Sequence, residues 1–288
     1  MSLHKLVLAG ALLCLPFSTT VASEWTQTLK RINETNEMNL GFRKDQPPMS
    51  FDSGGGVAAG YSVDLCKFVA SMVVETLGKT DIQVNFVPVT AANRFEAIQS
   101  GKIDILCGVT TKTISRTGMV GFTQPSFVTG GSLLTHKGMD IVNVSNLAGK
   151  SVAVVDNTTT LEALENALKK QQIEADIIPV SSTSQGMNLL DNGEVDAVAA
   201  DQIVLIGQVI ARDGRERYVV SRELFSFETF ALAIPRGDIE FQLVADRALA
   251  RLYRTGRIAE VYNAWFGILG EEPPTMLQTL YLLHATRP

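Results

Sequence analysis

The sequence GKIDILCGVTTKTISR, residues 101–116, predicts the end of a helix, a buried strand and a polar loop that finishes in Arg116. Upstream, Phe95 and Ile98 are spaced for one helix face, and Gly101 is the residue type that ends helices. The apolar run that follows, typical of a strand in a covered sheet, consists of Ile103, Ile105, Leu106 and Cys107. The hydroxyl groups after this strand are at Thr110, Thr111, Thr113 and Ser115. Since ligands of open α/β sheets bind beyond the carboxyl ends of strands, this loop is the first candidate binding segment.

The same construction occurs a second time in residues 186–201, GMNLLDNGEVDAVAAD. The order is again helix, glycine, branched apolar residue, aspartate and a strand of small apolar residues. GKID at 101–104 matches GEVD at 193–196 position for position. The first copy leads to the cation Arg116, whereas the second copy ends on the anion Asp201. Two similar α/β units that present opposite charges predict a site for a zwitterion held between them.

Length and composition favour a globular protein with two lobes. The chain has 288 residues, of which 45% are hydrophobic, so it is able to bury a sizeable core. Its formal net charge is −5 at pH 7, and its basic residues form no block. Because a basic surface is what neutralises phosphates, we expect no nucleic-acid partner.

The amino terminus has the pattern of an export signal. His4 and Lys5 precede an apolar run over residues 6–17, and small residues suited to cleavage follow. The run is about 12 residues long, which is too short to span a bilayer but fits the apolar part of a secretory signal. We therefore predict a signal peptide over residues 1–23 and export of the mature protein.

Removal of this signal leaves two of the three cysteines, Cys66 and Cys107. Exported cysteines are able to form a disulfide because the compartment is oxidising. The alternative is two buried free thiols, since the sequence does not fix the distance between the two residues. Both alternatives stay open at this point.

The remaining sequence predicts strands and helices that alternate along the chain. Residues 39–43 are expected to form a first strand and residues 62–77 a helix. Residues 127–134 form an extended run with no helix before the next strand, which predicts a connection into a second lobe. Glu228–Ile234 is expected to be a return strand, and residues 239–266 a helix pair that packs back on the first lobe.

These elements predict an α/β protein whose chain crosses between two lobes twice. We expect residues 24–129 and 236–288 to form the first lobe. Residues 130–235 are expected to form the second lobe, with the hinge strands at its ends. A chain that crosses out and later crosses back makes a double hinge.

Three residue types suggest ligand contacts directly. A guanidinium binds carboxylates as a bidentate fork, so Arg116 suits a ligand carboxylate; the alternative is a solvated surface arginine. Asp201 suits a ligand ammonium, and the alternative is an ordinary N-cap of the helix that follows. Thr158, Thr159 and Thr160 open a helix whose free N–H groups suit an anion, and the alternative is again capping.

Other polar residues carry weaker signals. Arg43 follows a strand and Arg94 lies near a helix start, so each is a further candidate cation or an exposed residue. Asp104 and Asp196 lie within apolar strands, and we expect both to be structural. The sequence contains no metal-ligating constellation, no Ser/His/Asp order and no Gly-rich phosphate loop. We therefore predict no catalytic residue, no metal and no cofactor.

Several stretches match one family in the right order. They are FRKDQPPMSF, GYSVDLCKFV, FVPVTAANRFEAIQSGKIDILCGVTT, LAGKSVAVVDNTTT, GEVDAVAADQ and YNAWFG. Together they resemble the periplasmic polar amino-acid-binding proteins of ABC importers, solute-binding protein family 3, and among these the glutamate/aspartate binders. The resemblance implies a type II periplasmic-binding fold, in which two crossover strands join two α/β lobes and the amino acid lies in the cleft.

The resemblance also implies roles for five residues in binding the backbone groups of an amino acid. Arg116 matches the arginine that clamps the α-carboxylate, and Asp201 matches the carboxylate that receives the α-ammonium. Thr111 and the backbone of Val109 match loop positions that contact these α-groups. Thr159 matches a hydroxyl of the second lobe near the carboxylate.

The side-chain pocket shows both matches to this family and departures from it. Arg43 and Arg94 match the arginines of the pocket in acidic amino-acid binders. Ala91 stands where those binders have a serine, and Asn157 replaces the usual glycine before the threonine pair. Gln185 takes the place of a second-lobe histidine as a ligand contact. These departures also admit an uncharged polar side chain.

The implied function is binding without chemistry. The protein is expected to be a periplasmic monomer that captures a polar amino acid, with glutamate or aspartate favoured, and delivers it to an ABC transporter permease. The first alternative on this fold is a periplasmic cyclohexadienyl or arogenate dehydratase. Glu162 is its nearest candidate acid, although the helical spacing turns Glu162 to solvent. The second alternative, a sensor input module, usually continues into a membrane helix, which this sequence is not expected to have.

Overall fold

A computed structural model describes residues 27–270 and 272–287. The predicted signal peptide, residues 1–23, lies outside these ranges. None of the helices within them combines the length and the apolar character of a membrane span. The described residues form two five-stranded sheets and one small three-stranded sheet.

The first sheet has the strand of the 101–116 stretch at its centre. Its spatial order is β5 (Gln83–Pro88), β1 (Glu37–Phe42), β6 (Ile105–Cys107), β13 (Glu228–Ile234) and β7 (Gly121–Thr129). Strands β5, β1 and β6 run parallel, whereas β13 is antiparallel to β6 and β7. All residues of β6 are buried, as its unbroken apolar run predicts.

The second sheet repeats this arrangement. Its spatial order is β10 (Asp176–Val180), β9 (Ser151–Val155), β11 (Ala197–Asp201), β8 (Gly131–His136) and β12 (Tyr218–Val220). Strands β10, β9 and β11 run parallel, and β8 is antiparallel to β11 and β12. The two matching sequence stretches therefore supply the central strand of each sheet.

Helices pack on both sheets, and the small sheet lies beside the first one. The helices are α1 (Gln27–Thr35), α2 (Tyr61–Leu77), α3 (Arg94–Gln99), α4 (Ile114–Thr117), α5 (Thr159–Gln171), α6 (Thr183–Asp191), α7 (Gln202–Ala211), α8 (Ile239–Arg254), α9 (Arg257–Phe266) and α10 (Thr275–Leu283). The small sheet comprises β2 (Asp45–Gln46), β3 (Ser50–Asp52) and β4 (Ala58–Ala59). The predicted helix pair is α8 and α9, whereas α1 and α10 were not predicted.

We call the first sheet with α1–α4 and α8–α10 the first lobe, and the second sheet with α5–α7 the second lobe. The core of the first lobe includes Leu40 of β1, Leu65 of α2 and Leu249 of α8, each fully buried. Cys66 of α2 and Cys107 of β6 form a disulfide with their Cα atoms 5.9 Å apart. Of the two alternatives that the sequence left open, the structure therefore has the bridge, which ties α2 to the central strand.

Two segments of the chain connect the lobes, and they lie against each other. The first passes from β7 to β8 through Gly130, and the second reaches β13 through Ser226. A Cβ atom at Gly130 would lie 2.0 Å from the carbonyl oxygen of Ser226, so only glycine fits there. Strand β13 lies within residues 130–235, yet it pairs in the first sheet. The chain therefore returns to the first lobe before residue 235.

The lobes also meet through α7 and the turn between β2 and β3. A Cβ atom at Gly207 would lie 1.9 Å from the carbonyl oxygen of Pro47, which shows how closely the helix approaches this turn. The side chain of Gln208 donates to the backbone carbonyl of Asp45 (2.8 Å). The backbone N–H of Thr183 donates to the carboxylate of Asp45 (3.1 Å). The two lobes are therefore closed on each other.

Candidate functional site

The polar loop after β6 is fixed to β13. Ala231 N donates to the carbonyl of Thr110 (3.1 Å), and Lys112 N donates to the carbonyl of Thr229 (2.9 Å). Val109, where the loop leaves the strand, is buried. These bonds hold the loop at the carboxyl end of β6, where the sequence predicted a binding segment.

Arg116 is anchored at the end of this loop. Thr113 caps the short helix α4 by accepting a hydrogen bond from Arg116 N (3.2 Å). The guanidinium donates through Nη1 to the carbonyl of Thr111 (2.9 Å) and lies 5.5 Å from the centre of the Phe95 ring. Arg116 is 8% exposed, so the alternative of a solvated surface arginine is wrong.

Two more arginines are buried beside Arg116. Arg43 follows β1, Arg94 opens α3, and each is 2% exposed. One terminal nitrogen of Arg43 lies 3.3 Å from the carboxylate of Asp45. One terminal nitrogen of Arg94 donates to the carbonyl of Asn157 in the second lobe (3.2 Å). The guanidinium of Arg94 also lies 4.8 Å from the centre of the Phe95 ring, and its hydrogen bond reaches across the cleft.

The other nitrogens of these two arginines are incompletely satisfied. Nε and Nη1 of Arg43 and Nε of Arg94 are buried with no hydrogen-bond partner among the described residues. Burial, together with the positive charges of Arg116 and Arg43, lowers the pKa of Arg94 to about 9. Unpaired buried donors on a cation are costly. An anionic group between the lobes would satisfy both the donors and the charge.

Asp201 supplies the opposite requirement from the second lobe. It ends β11 and is the N-cap residue of α7, but its carboxylate accepts no capping hydrogen bond from the helix, so its side chain does not serve as an ordinary cap. Its Oδ1 is buried and unpaired within the described part of the chain. Burial and the negative charge of Glu228 raise the pKa of Asp201 to about 7, although Arg116 and Arg94 oppose the shift. A ligand cation would supply the missing hydrogen bond and favour the ionised carboxylate.

Thr159 lies at the start of α5 and joins the lobes. Thr158, and not Thr159, caps this helix by accepting a hydrogen bond from Leu161 N (3.2 Å). The hydroxyl of Thr159 is consequently available to the cleft. It lies 3.1 Å from the hydroxyl of Thr111 and 3.1 Å from Oε2 of Glu228.

Glu228 is the residue of this group that the sequence prediction missed, because it was considered only as the first residue of a strand. It is buried, and its Oε1 accepts a hydrogen bond from the hydroxyl of Ser226 (2.9 Å). Burial lowers the pKa of Arg116, and the negative charges of Glu162, Glu228 and Asp201 oppose that shift. The available signal was an acidic residue that opens the otherwise uncharged strand ETFALAI.

Gln185 does not join the group. Its side chain is exposed, and its Oε1 accepts hydrogen bonds from the backbone N–H and the hydroxyl of Ser181 (2.9 and 2.8 Å). Thr183, two residues earlier, is buried and lines a cavity of about 20 Å³ beside Asp201. At this end of α6 the structure thus brings Thr183, rather than Gln185, towards the cleft.

A larger cavity, of about 620 Å³, lies beside Arg43. Both lobes line it, the first with Arg43 and Ala91 and the second with Asn157 and Ser182. Within the described ranges, no group of three or more His, Cys, Asp or Glu residues is arranged to hold a metal ion. The arrangement instead suits a small organic ion with charges of both signs.

Comparisons with known proteins agree with this geometry. Residues 38–268 match the model of the bacterial extracellular solute-binding proteins, family 3. The chain is 31% identical over 266 residues to the L-glutamate/L-aspartate-binding protein of Pseudomonas aeruginosa, covering 92% of this chain and 87% of that protein. It is 28% identical over 239 residues to the glutamate/aspartate import solute-binding protein of Escherichia coli, covering 83% and 79%.

A solved structure shows the same fold. It is that of the ancestral amino acid-binding protein AncCDT-1, a precursor of cyclohexadienyl dehydratase. The match has a TM-score of 0.72 and 26% identity, and it covers 83% of this chain and 100% of that chain. The likeness therefore extends over both lobes.

Proposed function

This chain belongs to the bacterial extracellular solute-binding proteins of family 3, with their type II periplasmic-binding fold, and we propose that it captures glutamate or aspartate between its lobes. The two curated relatives named above are binding proteins for these amino acids. Both carry the names of binding proteins, which supports binding over the dehydratase alternative. Glu162, the acid which that alternative requires, is exposed.

One observation carries the proposal: buried donors of Arg43 and Arg94 and a buried acceptor of Asp201 are unpaired among the described residues, and the charges of Arg43 and Asp201 both act on Arg94. An amino acid supplies an ammonium for the acceptor. A second carboxylate, on its side chain, supplies the anion for the arginines, and each of these bonds is charge-assisted. A neutral side-chain amide would leave the charge of Arg94 without a carboxylate partner, so the pocket favours an acidic ligand over glutamine.

In this proposal the α-groups of the ligand are bound from both lobes. Arg116 clamps the α-carboxylate, and the hydroxyl of Thr159 lies near it. Asp201 receives the α-ammonium, which is also bound by Thr111 and the backbone carbonyl of Val109. Because the contacts come from both lobes, only the closed state makes all of them, and the ligand shifts the equilibrium towards closure.

The side-chain carboxylate is bound by Arg43 and Arg94. Gln185, which the family resemblance implicated, receives no contact in this proposal because its side chain is exposed and its amide oxygen accepts hydrogen bonds from Ser181. The buried Thr183 lies on the same helix, and it lines the small cavity beside Asp201 rather than the larger one beside Arg43.

Closure is proposed to turn on the two connecting segments. These segments contain Gly130 and Ser226, and at these two residues the segments are in close contact. The closed form would then be recognised by the permease of an ABC transporter, which receives the amino acid. We further propose that residues 1–23 direct export, and that the mature protein acts in the periplasm as a monomer without nucleic acid.

A screen of the twenty amino acids by thermal shift tests this function, using protein that has been unfolded, dialysed and refolded to remove carried ligand. A ligand that binds only the native state adds about 2.7 kcal/mol of stability at a concentration of 100 Kd. The melting temperature therefore rises. We expect glutamate and aspartate to give the largest shifts. Equal shifts with glutamine would contradict the acidic ligand, and the absence of any shift would contradict amino-acid binding.

A pair of variants tests the side-chain pocket by calorimetry. Arg94→Gln removes a buried guanidinium and should reduce the preference for glutamate over glutamine at least tenfold, because only glutamate uses the charge. The matched control is Arg222→Gln, since Arg222 is exposed. An unchanged preference in Arg94→Gln would remove Arg94 from the pocket.

A further inference from the structure

A continuous chain of hydrogen bonds runs through the hydroxyls of the site to a buried carboxylate. Thr111, Thr159 and Glu228 form it, with distances of 3.1 Å at each step. The other carboxylate oxygen, Oε1, accepts from the hydroxyl of Ser226, which itself accepts from Gly131 N (both 2.9 Å). This chain of hydrogen bonds therefore starts in the first lobe, passes through the second lobe, and ends where the two connecting segments meet.

The direction of this chain follows from the number of hydrogen atoms. A carboxylate only accepts hydrogen bonds, whereas a hydroxyl has one hydrogen to donate and two lone pairs. Thr159 therefore donates its hydrogen to Glu228 and must accept from Thr111. The hydrogen of Thr111 is then committed to Thr159, and the lone pairs of the Thr111 hydroxyl are acceptors for a ligand.

This polarity matters because an ammonium and a hydroxyl make different demands. An ammonium only donates hydrogen bonds, while a hydroxyl is able to donate or accept. If the hydroxyl of Thr111 turned its hydrogen towards the ligand, two donors would face each other in a buried site. A hydroxy acid of the same skeleton would adapt to either direction.

We propose that Glu228 is a positioning residue that fixes the direction of this hydroxyl chain and thereby makes the site selective for amino acids over the corresponding 2-hydroxy acids. The inference rests on the proposed function of the cleft. Glu228 acts through Thr159 and Thr111, and it is held in place by Ser226. The other charged groups near Glu228 are Arg116, Asp201 and Glu162, together with the neighbouring Arg94 and Arg43, so removal of the charge of Glu228 alters the field there as well.

The test compares Glu228→Gln with the wild type, since a glutamine side chain either accepts from or donates to Thr159 and no longer fixes the direction. Calorimetry would measure Kd for L-glutamate and for (S)-2-hydroxyglutarate. We expect the preference for glutamate to fall about tenfold in Glu228→Gln, mainly through weaker glutamate binding. Glu223→Gln is the matched control, because Glu223 is an exposed glutamate of the same connecting segment.

A second readout separates positioning from a merely structural role. The charge of Glu228 helps to raise the pKa of Asp201 to about 7. The pH at which glutamate affinity begins to fall should therefore move to a lower value in Glu228→Gln. A merely structural role would lower the melting temperature and weaken both ligands equally, with no change in this pH.

Thr159→Val provides a route that does not depend on the folding of the Glu228 variant. Removal of the hydroxyl interrupts the chain, so the preference should fall as in Glu228→Gln, and the double variant should show no further loss. Additive losses, or an unchanged preference in either variant, would overturn the inference. If the wild type itself bound no glutamate, the proposed function would fail, which is a different result from an unchanged preference.

Discussion

Strand β6 of the first lobe and strand β11 of the second lobe occupy the same place in their sheets, but the chain leaves them differently. After β6 the chain forms a hydroxyl-rich loop and a short helix that carries Arg116. After β11 it enters α7 directly, with Asp201 at the junction. One scaffold thus presents a cation on a short helix and an anion at a strand end, and a zwitterion needs both.

A second comparison concerns the aspartates of the repeat, Asp104 and Asp196. Each accepts a hydrogen bond from the backbone of the neighbouring parallel strand, Asp104 from Asn39 N (2.7 Å) and Asp196 from Ser151 N (2.9 Å). Burial nevertheless raises the pKa of Asp104, whereas the backbone hydrogen bond from Ser151 lowers the pKa of Asp196. The repeat therefore gives both aspartates the same hydrogen bond to a neighbouring strand, and the degree of burial decides whether the pKa of the carboxyl is raised or lowered.

The largest expected effect is the loss of the first-lobe cation. Arg116→Ala would leave a ligand carboxylate buried and unpaired, which costs on the order of 3–5 kcal/mol. We expect glutamate affinity, measured by calorimetry, to fall more than a hundredfold. The exposed Arg222→Ala serves as the control. A loss of less than tenfold in Arg116→Ala would mean that the two lobes do not contribute opposite charges to one ligand.

The next effect should distinguish the stability of the lobes. The Cys66–Cys107 bridge spans 41 residues of the first lobe, and a loop of that length corresponds to about 4 kcal/mol in the chain-entropy model. Reduction should therefore destabilise the first lobe more than the second, as measured by urea unfolding with and without reductant and by hydrogen exchange resolved by peptide. Equal loss of protection in both lobes would show that they unfold as one unit.

Asp201→Asn should separate binding from stability. In the free protein burial raises the pKa of Asp201 to about 7, so below that pH an incoming ammonium must displace a proton. The affinity of the wild type for glutamate should then fall up to about tenfold per pH unit below pH 7. The variant should bind glutamate more weakly than the wild type, with a loss of about 2 kcal/mol of binding free energy, and its affinity should not depend on pH in this way.

The same raised pKa predicts the opposite sign for the stability of the free protein. Because the folded state favours the protonated carboxyl, the free energy of unfolding decreases as the pH rises from about 4 to 7. Asp201→Asn should consequently melt at a higher temperature than the wild type at pH 8 in the absence of ligand. A lower melting temperature there would show that Asp201 stabilises the fold rather than serving the ligand.

The smallest effect concerns the two structural aspartates. The lowered pKa of Asp196 means that its ionised form stabilises the fold at neutral pH, and that this contribution is lost as the pH falls through its folded-state pKa. Asp196→Asn should therefore cost about 1 kcal/mol at pH 7 and less at pH 3. Asp104→Asn should cost less at pH 7, because burial already opposes its charge. Urea unfolding of both variants at pH 7 and pH 3 would test these two expectations. An equal cost of Asp196→Asn at both pH values would contradict the first, and an equal cost of the two variants at pH 7 would contradict the second.

Local sequence pattern determined much of this protein. The apolar runs, the glycine stops and the GKID and GEVD matches located the central strand of each sheet, because side-chain periodicity and turn preferences act over a few residues. The position of Arg116 after one strand and of Asp201 at the end of the other followed from the same patterns. The bridge between Cys66 and Cys107 was left open, since spacing along the chain does not give a distance.

Tertiary structure alone decided how these residues behave. Whether Asp201 caps a helix or faces the cleft depends on the packing of the lobes, which buries its Oδ1. Glu228 lies far from Thr111 along the chain, yet the return of β13 places the two residues one hydroxyl apart. The burial and the proximity of these residues arise when the chain crosses twice between the lobes, and those are the quantities that shift pKa values and orient hydrogen bonds.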